Sequence, residues 1–108
     1  MAGEPGRKTP NWRALARLKK RLLRDFRDVG VDHVEYVVAF SAPFEFWVWL
    51  GTATDAERDS LAKDPALTGR VRPIAERYGV ATLLEGVTFE SKETVDREYE
   101  GQWFYRLR

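Results

Sequence analysis

The stretch HVEYVVAFSAPFEFWVWLG, residues 33–51, decides the fold of this chain. Its two outer parts are rich in β-branched and aromatic residues, which favour strands, and the SAP between them is short enough for a hairpin turn. Pro43 has no amide hydrogen, so it suits the turn rather than the interior of a ladder. The stretch therefore predicts two antiparallel strands joined as a hairpin.

Alternate residues of this hairpin fall on opposite faces of a sheet. One face is almost wholly apolar, which predicts a core covered by helices; it holds Val34, Tyr36, Val38, Phe40, Phe44, Phe46, Val48 and Leu50. The other face holds His33, Glu35, Val37, Ala39, Glu45, Trp47 and Trp49. Two tryptophans beside two glutamates are typical neither of a core nor of a solvated surface. Three interpretations stay open for this second face: a second core layer, an open surface for a partner, or the lining of a small-ligand pocket.

The segment before the hairpin, WRALARLKKRLLRDFRDVG, predicts an amphipathic helix. Its apolar residues recur at helical spacing and form one stripe, which holds Leu15, Leu18, Leu22, Phe26 and Val29. Asn11 is the expected N-cap, or Thr9 with Pro10 at the first helical position. Gly30 is the expected end of the helix.

The segments after the hairpin predict two short helices and more strands. Thr54 and Glu57 have the spacing of a capping box, which predicts a helix over residues 55–63. Pro73 and Gly79 bracket a further helix over residues 72–78. VATLLEGVTFES has strand character, with Gly86 as a bulge or turn.

The C-terminal segment KETVDREYEGQWFYRLR has two interpretations. In the first, Glu100 and Gly101 form the turn of a second hairpin. In the second, residues 92–99 form a short helix and only residues 102–107 form a strand. Both end on a strand that places Trp103 and Tyr105 on one side, where they would extend the surface of Trp47 and Trp49.

The fold class predicted from this order is α+β. We expect a mainly antiparallel sheet of about four or five strands, packed against the N-terminal amphipathic helix and two short central helices. The start of the chain, MAGEPGRKTP, is rich in Gly, Pro and charge, so residues 1–8 are expected to form a flexible tail. Residues 9–108 are expected to form a single domain.

Composition excludes several classes of function. The chain of 108 residues contains no cysteine, which excludes disulfides, thiolate zinc sites and a cysteine nucleophile. The sequence has neither an apolar run long enough for a membrane span nor the apolar block of a signal peptide, so a cytoplasmic location is expected. None of the glycines forms a phosphate-binding loop.

Residues suited to catalysis are few. His33 is the only histidine, so an enzyme with a histidine base would have to use it, with Glu35 or Glu45 as its partner. On a strand, Asp96, Glu98 and Glu100 would share one face, either as a site for a hard cation or as a solvated acidic edge. The acidic edge is favoured because no glycine-centred calcium loop surrounds them, and no metal or cofactor is expected.

Charge is distributed unevenly along the chain. Residues 1–30 hold nine Lys or Arg against three Asp or Glu, although the net charge of the whole chain is only +1. Five basic residues follow steps of three and four and line one stripe of the first helix: Arg13, Arg17, Lys20, Arg24 and Arg27. Such a stripe is either a solvated helix face or a surface that meets phosphates, an anionic membrane or an acidic protein, with nucleic acid favoured over a membrane.

These observations favour a small non-enzymatic module, of the inhibitor, immunity or regulatory type, that binds another protein. The predicted contact surface is aromatic and acidic, and comprises Glu35, Glu45, Trp47, Trp49, Trp103 and Tyr105. The alternatives are a nucleic-acid-binding protein that uses the basic stripe, and a ligand-binding protein or enzyme with a pocket around Trp47 and Trp49. In size, acidic body and aromatic C-terminal segment the chain resembles small bacterial immunity and antitoxin-type proteins, which implies binding of a partner and assigns no residue.

Overall fold

The computed structural model describes residues 8–107, without the side chain of Tyr105. The predicted tail lies almost wholly outside the described residues. The three strands of the described chain are β1 (Val31–Val38), β2 (Phe46–Thr52) and β3 (Leu84–Ser91). The helices are α1 (Trp12–Asp25), α2 (Asp55–Ala62), α3 (Pro65–Gly69), α4 (Val71–Arg77), α5 (Lys92–Glu98) and α6 (Trp103–Arg106).

The sheet is mixed, with the strand order β1-β2-β3. β1 and β2 pair antiparallel as the predicted hairpin, whereas β2 and β3 pair in parallel. The α+β class is confirmed, but the expected mainly antiparallel sheet of four or five strands is wrong for residues 8–107. The physical reason is the crossover through α2, α3 and α4, which returns the chain to the starting end of β2 before β3 begins.

Helix α1 packs its apolar stripe against the first face of the sheet. Leu15, Leu18 and Leu22 are buried in one cluster with Val48 and Leu50 of β2, and this cluster is the core of the molecule. The predicted N-cap is confirmed, since Asn11 Oδ1 accepts a hydrogen bond of 3.2 Å from the amide of Ala14. The α-helix ends at Asp25, and a 3-10 turn over Arg27–Val29 leads to Gly30 in the left-handed region, at φ 98°.

The tip of the hairpin departs from the predicted alternation. β1 ends at Val38, and Phe40 is fully exposed rather than part of the core face, because the chain leaves the ladder beyond the 2.8 Å hydrogen bond from the amide of Ala39 to the carbonyl of Glu45. This connection contains a cis peptide bond between Ala42 and Pro43. Phe44 is buried as predicted, but it adopts φ 70° and lies outside β2.

The central helices largely follow their predicted signals. Thr54 Oγ1 accepts a hydrogen bond of 3.1 Å from the amide of Glu57, and Glu57 Oε1 accepts one of 3.2 Å from the amide of Thr54. The capping box is therefore confirmed, and α4 lies where the helix of residues 72–78 was predicted. Helix α3, which is capped by Asp64, was not predicted. The bulge at Gly86 is confirmed by a shift in the β2–β3 register between Phe46 and Trp47.

The C-terminal segment is helical, so the predicted final strand is wrong. Residues 92–98 form α5, in agreement with one of the two interpretations, but α6 replaces the strand expected over residues 102–107. Glu100 and Gly101 have φ values of 55° and 72°, and the amide of Gly101 donates a 2.9 Å hydrogen bond to the carbonyl of Val95. The two residues thus reverse the chain between two helices instead of between two strands.

Candidate functional site

The second face of the sheet, which we call the tryptophan face, is defined by the strand register. It comprises His33, Glu35 and Val37 of β1, Trp47, Trp49 and Gly51 of β2, and Gly86, Thr88 and Glu90 of β3. Neighbouring positions across the strands form rows. One row is His33, Gly51 and Glu90, and a row near the hairpin tip is Val37, Trp47 and Gly86.

Helix α6 covers the row that contains Gly51. The Trp103 ring stacks on the His33 ring with centroids 4.5 Å apart and an angle of 27° between the planes. A Cβ atom at Gly51 would lie 2.9 Å from the Trp103 ring, so the missing side chain makes room for the helix. Arg106, on the same helix, places its guanidinium carbon 4.3 Å from the centre of the Trp49 ring.

A buried carboxylate holds α6 in place. Glu90 is only 4% exposed, and it accepts hydrogen bonds from Arg106 Nε at 2.6 Å, Arg58 Nη1 at 2.9 Å and the amide of Ser91 at 2.9 Å. Burial alone would raise the pKa of Glu90, but these three donors together hold its pKa below the ordinary value. The charge is therefore retained on folding and joins α2, β3 and α6.

A second carboxylate ties α2 to α5. Asp55 Oδ1 accepts hydrogen bonds from the hydroxyls of Ser91 and Thr94, the latter at 2.8 Å, and Arg97 Nη1 lies 3.2 Å from Asp55 Oδ2. The bond from Ser91 is the largest cause of the lowered pKa of Asp55, which is about 2. The oxygens of both carboxylates are engaged in structural hydrogen bonds and ion pairs, so neither group is placed to accept a proton in a reaction.

The row nearest the hairpin tip is open. Trp47 is 39% exposed, while Trp49 lies under Arg106. The Trp47 ring lies against the backbone of Gly86, where a Cβ would approach its Cδ1 atom to 3.3 Å. Glu45 precedes this row on the same face and is partly exposed. The tryptophan face is therefore half covered by the protein's own helix and half accessible.

The predicted contact surface is thus divided between the two halves. Trp47 and Glu45 lie on the open half, whereas Trp49 and Trp103 contact α6 or belong to it. Glu35 is engaged from within the protein, since Glu35 Oε1 lies 3.1 Å from His33 Nε2 and 3.6 Å from Lys19 Nζ. The side chain of Tyr105 lies outside the described part. A role of these residues in binding a protein stays a prediction.

The structure brings His33 and Glu35 together, but it buries the ring nitrogen of His33 that lies nearest Glu35. His33 Nε2 is buried, and the 3.1 Å approach of Glu35 does not have hydrogen-bond geometry. Glu45 lies at the opposite end of the hairpin from His33, opposite Ala39. Asp96 and Glu98 belong to a helix, where they point about 200° apart and share no face. Among the described residues no group of three potential ligands is placed to hold a metal ion.

The basic stripe of α1 forms one wall of a groove on the other side of the molecule. The C-terminal end of α4 supplies Arg77 and Tyr78 as the opposite wall and floor. Two adjoining hollows of about 480 and 460 Å³ meet at Tyr78, the first lined by Arg13, Arg17 and Arg77 and the second by Lys20, Arg24 and Arg27. We call this surface, defined by those seven residues, the basic groove. Neither hollow is lined by Trp47 or Trp49.

The six cations of the basic groove are exposed, and most of them have no acidic partner in the described part of the chain. Arg21 binds Asp25 through a 2.8 Å hydrogen bond, which lowers the pKa of Asp25 and neutralises its charge. Arg24 is the one groove residue near that carboxylate, at 3.9 Å. Within residues 8–107, no carboxylate pairs with Arg13, Arg17, Lys20, Arg27 or Arg77.

Arg77 and Tyr78 were missed by the sequence reasoning because they are distant from α1 along the chain. The only available signal was that the helix of residues 72–78 ends in a basic residue and an aromatic residue. Their position beside α1 depends on tertiary packing, in which Ala75 of α4 is fully buried against the core.

Comparisons with known proteins assign no family. The chain matches no family model, no curated protein and no solved structure. The described part contains no helix with the length and apolar character needed to cross a bilayer. A function for this chain therefore has to be inferred from the geometry of the tryptophan face and the basic groove.

Proposed function

We propose that the protein binds nucleic acid through the basic groove. The observation that carries this proposal is the convergence of six exposed cations, five from the α1 region and Arg77 from α4, around Tyr78. Five of these cations have no carboxylate partner among the described residues, so their charge is available to phosphates. Binding of this kind is driven by the release of counterions from the phosphate backbone.

The spacing of the cations favours an extended polyanion over a single small anion. With a rise of 1.5 Å per residue, Arg13 to Arg24 spans about 16 Å along the axis of α1. Phosphates repeat about every 3.4 Å along one strand of a duplex, so the row matches roughly five of them. Both hollows are open to solvent, as a surface that receives a long polymer must be.

A membrane surface fits the basic groove less well than nucleic acid does. Amphipathic helices bind bilayers by inserting their apolar face between the lipids. In this protein the apolar face of α1 is buried, with Leu18 and Leu22 at 2% and 0% exposure. Insertion would require the helix to leave the core, whereas the binding of phosphates requires no rearrangement.

The proposal is tested by titrating fluorescently labelled duplex and single-stranded oligonucleotides with the protein at low salt and following anisotropy. We expect binding by the wild type and a loss of about tenfold or more in affinity for the double variant Arg17→Gln/Lys20→Gln. Both residues are exposed, so the folded structure should be retained, which circular dichroism verifies.

The matched control is Lys63→Gln. Lys63 is exposed, lies outside the basic groove and has no ion pair in the described chain, so its loss should leave affinity almost unchanged. Equal losses for the two variants would show that only net charge matters and would contradict a defined site. Equally tight binding of a polyglutamate of the same length would point to an acidic protein instead and would also contradict the proposal.

A further inference from the structure

The tryptophan face already binds one arginine, supplied by the protein itself. Arg106 stacks over Trp49 at 4.3 Å and donates a 2.6 Å hydrogen bond to Glu90, while the Tyr99 ring lies 5.3 Å from the same guanidinium. An aromatic ring and a carboxylate together form this site. Such a pair selects a cation, since the ring face carries negative potential and the carboxylate carries full charge.

The neighbouring position on the same face also combines an aromatic ring with carboxylates, and no cation of the described residues occupies it. Trp47 lies two residues before Trp49 on β2, is 39% exposed, and is supported from below by the backbone of Gly86. Glu45 precedes it on the same face, and Glu85 is exposed at the bulge beside it. Neither glutamate has a cation partner among the described residues.

We propose that Trp47, with Glu45 and Glu85, docks an arginine-bearing segment of a partner protein, whose guanidinium stacks on Trp47 as Arg106 stacks on Trp49. Charge complementarity selects this occupant, because two unpaired carboxylates beside an exposed ring disfavour an acidic or nucleic-acid ligand. Phe40, in the connection between β1 and β2, is also fully exposed. The site faces away from α1, so it is independent of the basic groove.

The test uses a short synthetic peptide with one arginine between small neutral residues, and an identical peptide in which citrulline replaces the arginine. Citrulline keeps the shape of the side chain but has no charge. Titration is followed by two-dimensional NMR, in which the indole N–H of each tryptophan gives its own signal. We expect the arginine peptide to shift the signal of Trp47 more than that of Trp12, and the citrulline peptide to shift neither.

Variants locate the site on the protein. Trp47→Leu should lower the affinity for the arginine peptide by roughly tenfold or more, whereas Trp12→Leu, at another exposed tryptophan, should leave this affinity unchanged. Glu45→Gln changes only a charge on a partly exposed side chain, so it keeps the proposal testable if Trp47→Leu fails to fold. Glu45→Gln should lower the affinity for the arginine peptide and leave the response to the citrulline peptide unchanged.

Three outcomes would overturn the proposal. The first is equal binding of the arginine and citrulline peptides. The second is an arginine-peptide affinity that neither Trp47→Leu nor Glu45→Gln changes. The third is a dimer, seen by sedimentation at micromolar concentration, that Trp47→Leu dissociates, since a second copy of the chain would then be the occupant.

Discussion

Gly51 is a residue at which the C-terminal helix α6 packs directly on the sheet. A methyl group there would lie 2.9 Å from both the Trp103 ring and the Cβ atom of His33. Gly51→Ala should therefore lower the free energy of unfolding by about 1–3 kcal/mol, as overpacking does elsewhere. Urea denaturation followed by tryptophan fluorescence measures this change.

The control for Gly51 is a glycine with space around it. A Cβ atom at Gly69 would meet nothing within 4 Å, so Gly69→Ala should leave stability unchanged or raise it by up to about 1 kcal/mol. An alanine at position 51 that costs no more than one at position 69 would show that Trp103 does not pack over Gly51.

Asp55 makes the stability of the protein depend on pH in the acidic range. The hydroxyls of Ser91 and Thr94 hold its pKa at about 2, below the ordinary value of 3.8. Because the pKa is lower in the folded state, the contribution is complete above the ordinary value and is lost as pH falls toward 2. Asp55→Asn should lower stability at neutral pH and reduce the loss of stability between about pH 4 and pH 2.

This pH dependence is measured by urea unfolding at several acidic pH values. Asp32→Asn is the control, since Asp32 is exposed and has no ion pair in the described chain. An Asp55→Asn protein whose stability falls with pH as steeply as that of the wild type would contradict a role for this carboxylate.

At the scale of elements, Arg106 attaches α6 to the sheet through Glu90 and the ring of Trp49. Removal of a hydrogen bond to a charged group costs about 1.5–3 kcal/mol, and Arg106→Met should cost this much because it leaves the buried Glu90 with only Arg58 and the amide of Ser91 as donors. Arg97→Met, which removes an exposed ion pair with Asp55, should cost about 1 kcal/mol or less.

Hydrogen exchange separates the release of α6 from general destabilisation. In Arg106→Met the amides of α6 should exchange faster by a larger factor than those of β2, whereas Arg97→Met should affect the two elements alike. Uniform acceleration in Arg106→Met would show that α6 does not depend on this contact.

The elements also show what the sequence could predict. α1, the hairpin and the capping box of α2 were predictable because their signals are local: a period of three to four residues, alternation, and a cap three residues from its partner. α6 was not, because its aromatic residues favour a strand and only the contacts of Trp103 and Arg106 with the sheet make a four-residue helix stable there. The sequence also could not predict that β3 runs parallel to β2, since a strand has the same alternation of side chains in either direction.

The two functional surfaces were also predictable only in part. The row from Arg13 to Arg27 could be predicted because helical periodicity alone gathers it onto one face. Its opposite wall could not, because Arg77 and Tyr78 reach the groove only through the packing of α4. On the tryptophan face, periodicity identified Glu45, Trp47 and Trp49, but it could not show that Arg106 would cover one of the two tryptophans.

At the scale of the whole molecule, the charge asymmetry of the sequence becomes two separate surfaces. The basic groove lies on the helical layer, and the acidic, aromatic patch around Trp47 lies on the opposite side of the sheet. This separation lets the two proposed sites be tested one at a time. Variants at Trp47 should leave oligonucleotide affinity unchanged, and variants at Lys20 should leave peptide affinity unchanged.

The most direct test of the basic groove is the salt dependence of oligonucleotide affinity. Each phosphate contact contributes about −0.9 to the slope of log affinity against log salt on a duplex, or about −0.7 on a single strand. The wild type should give a slope equivalent to several contacts, and Arg17→Gln/Lys20→Gln a slope about two contacts shallower, whereas Lys63→Gln should match the wild type. A wild-type slope near zero, or the same slope in all three proteins, would contradict binding of nucleic acid by the basic groove.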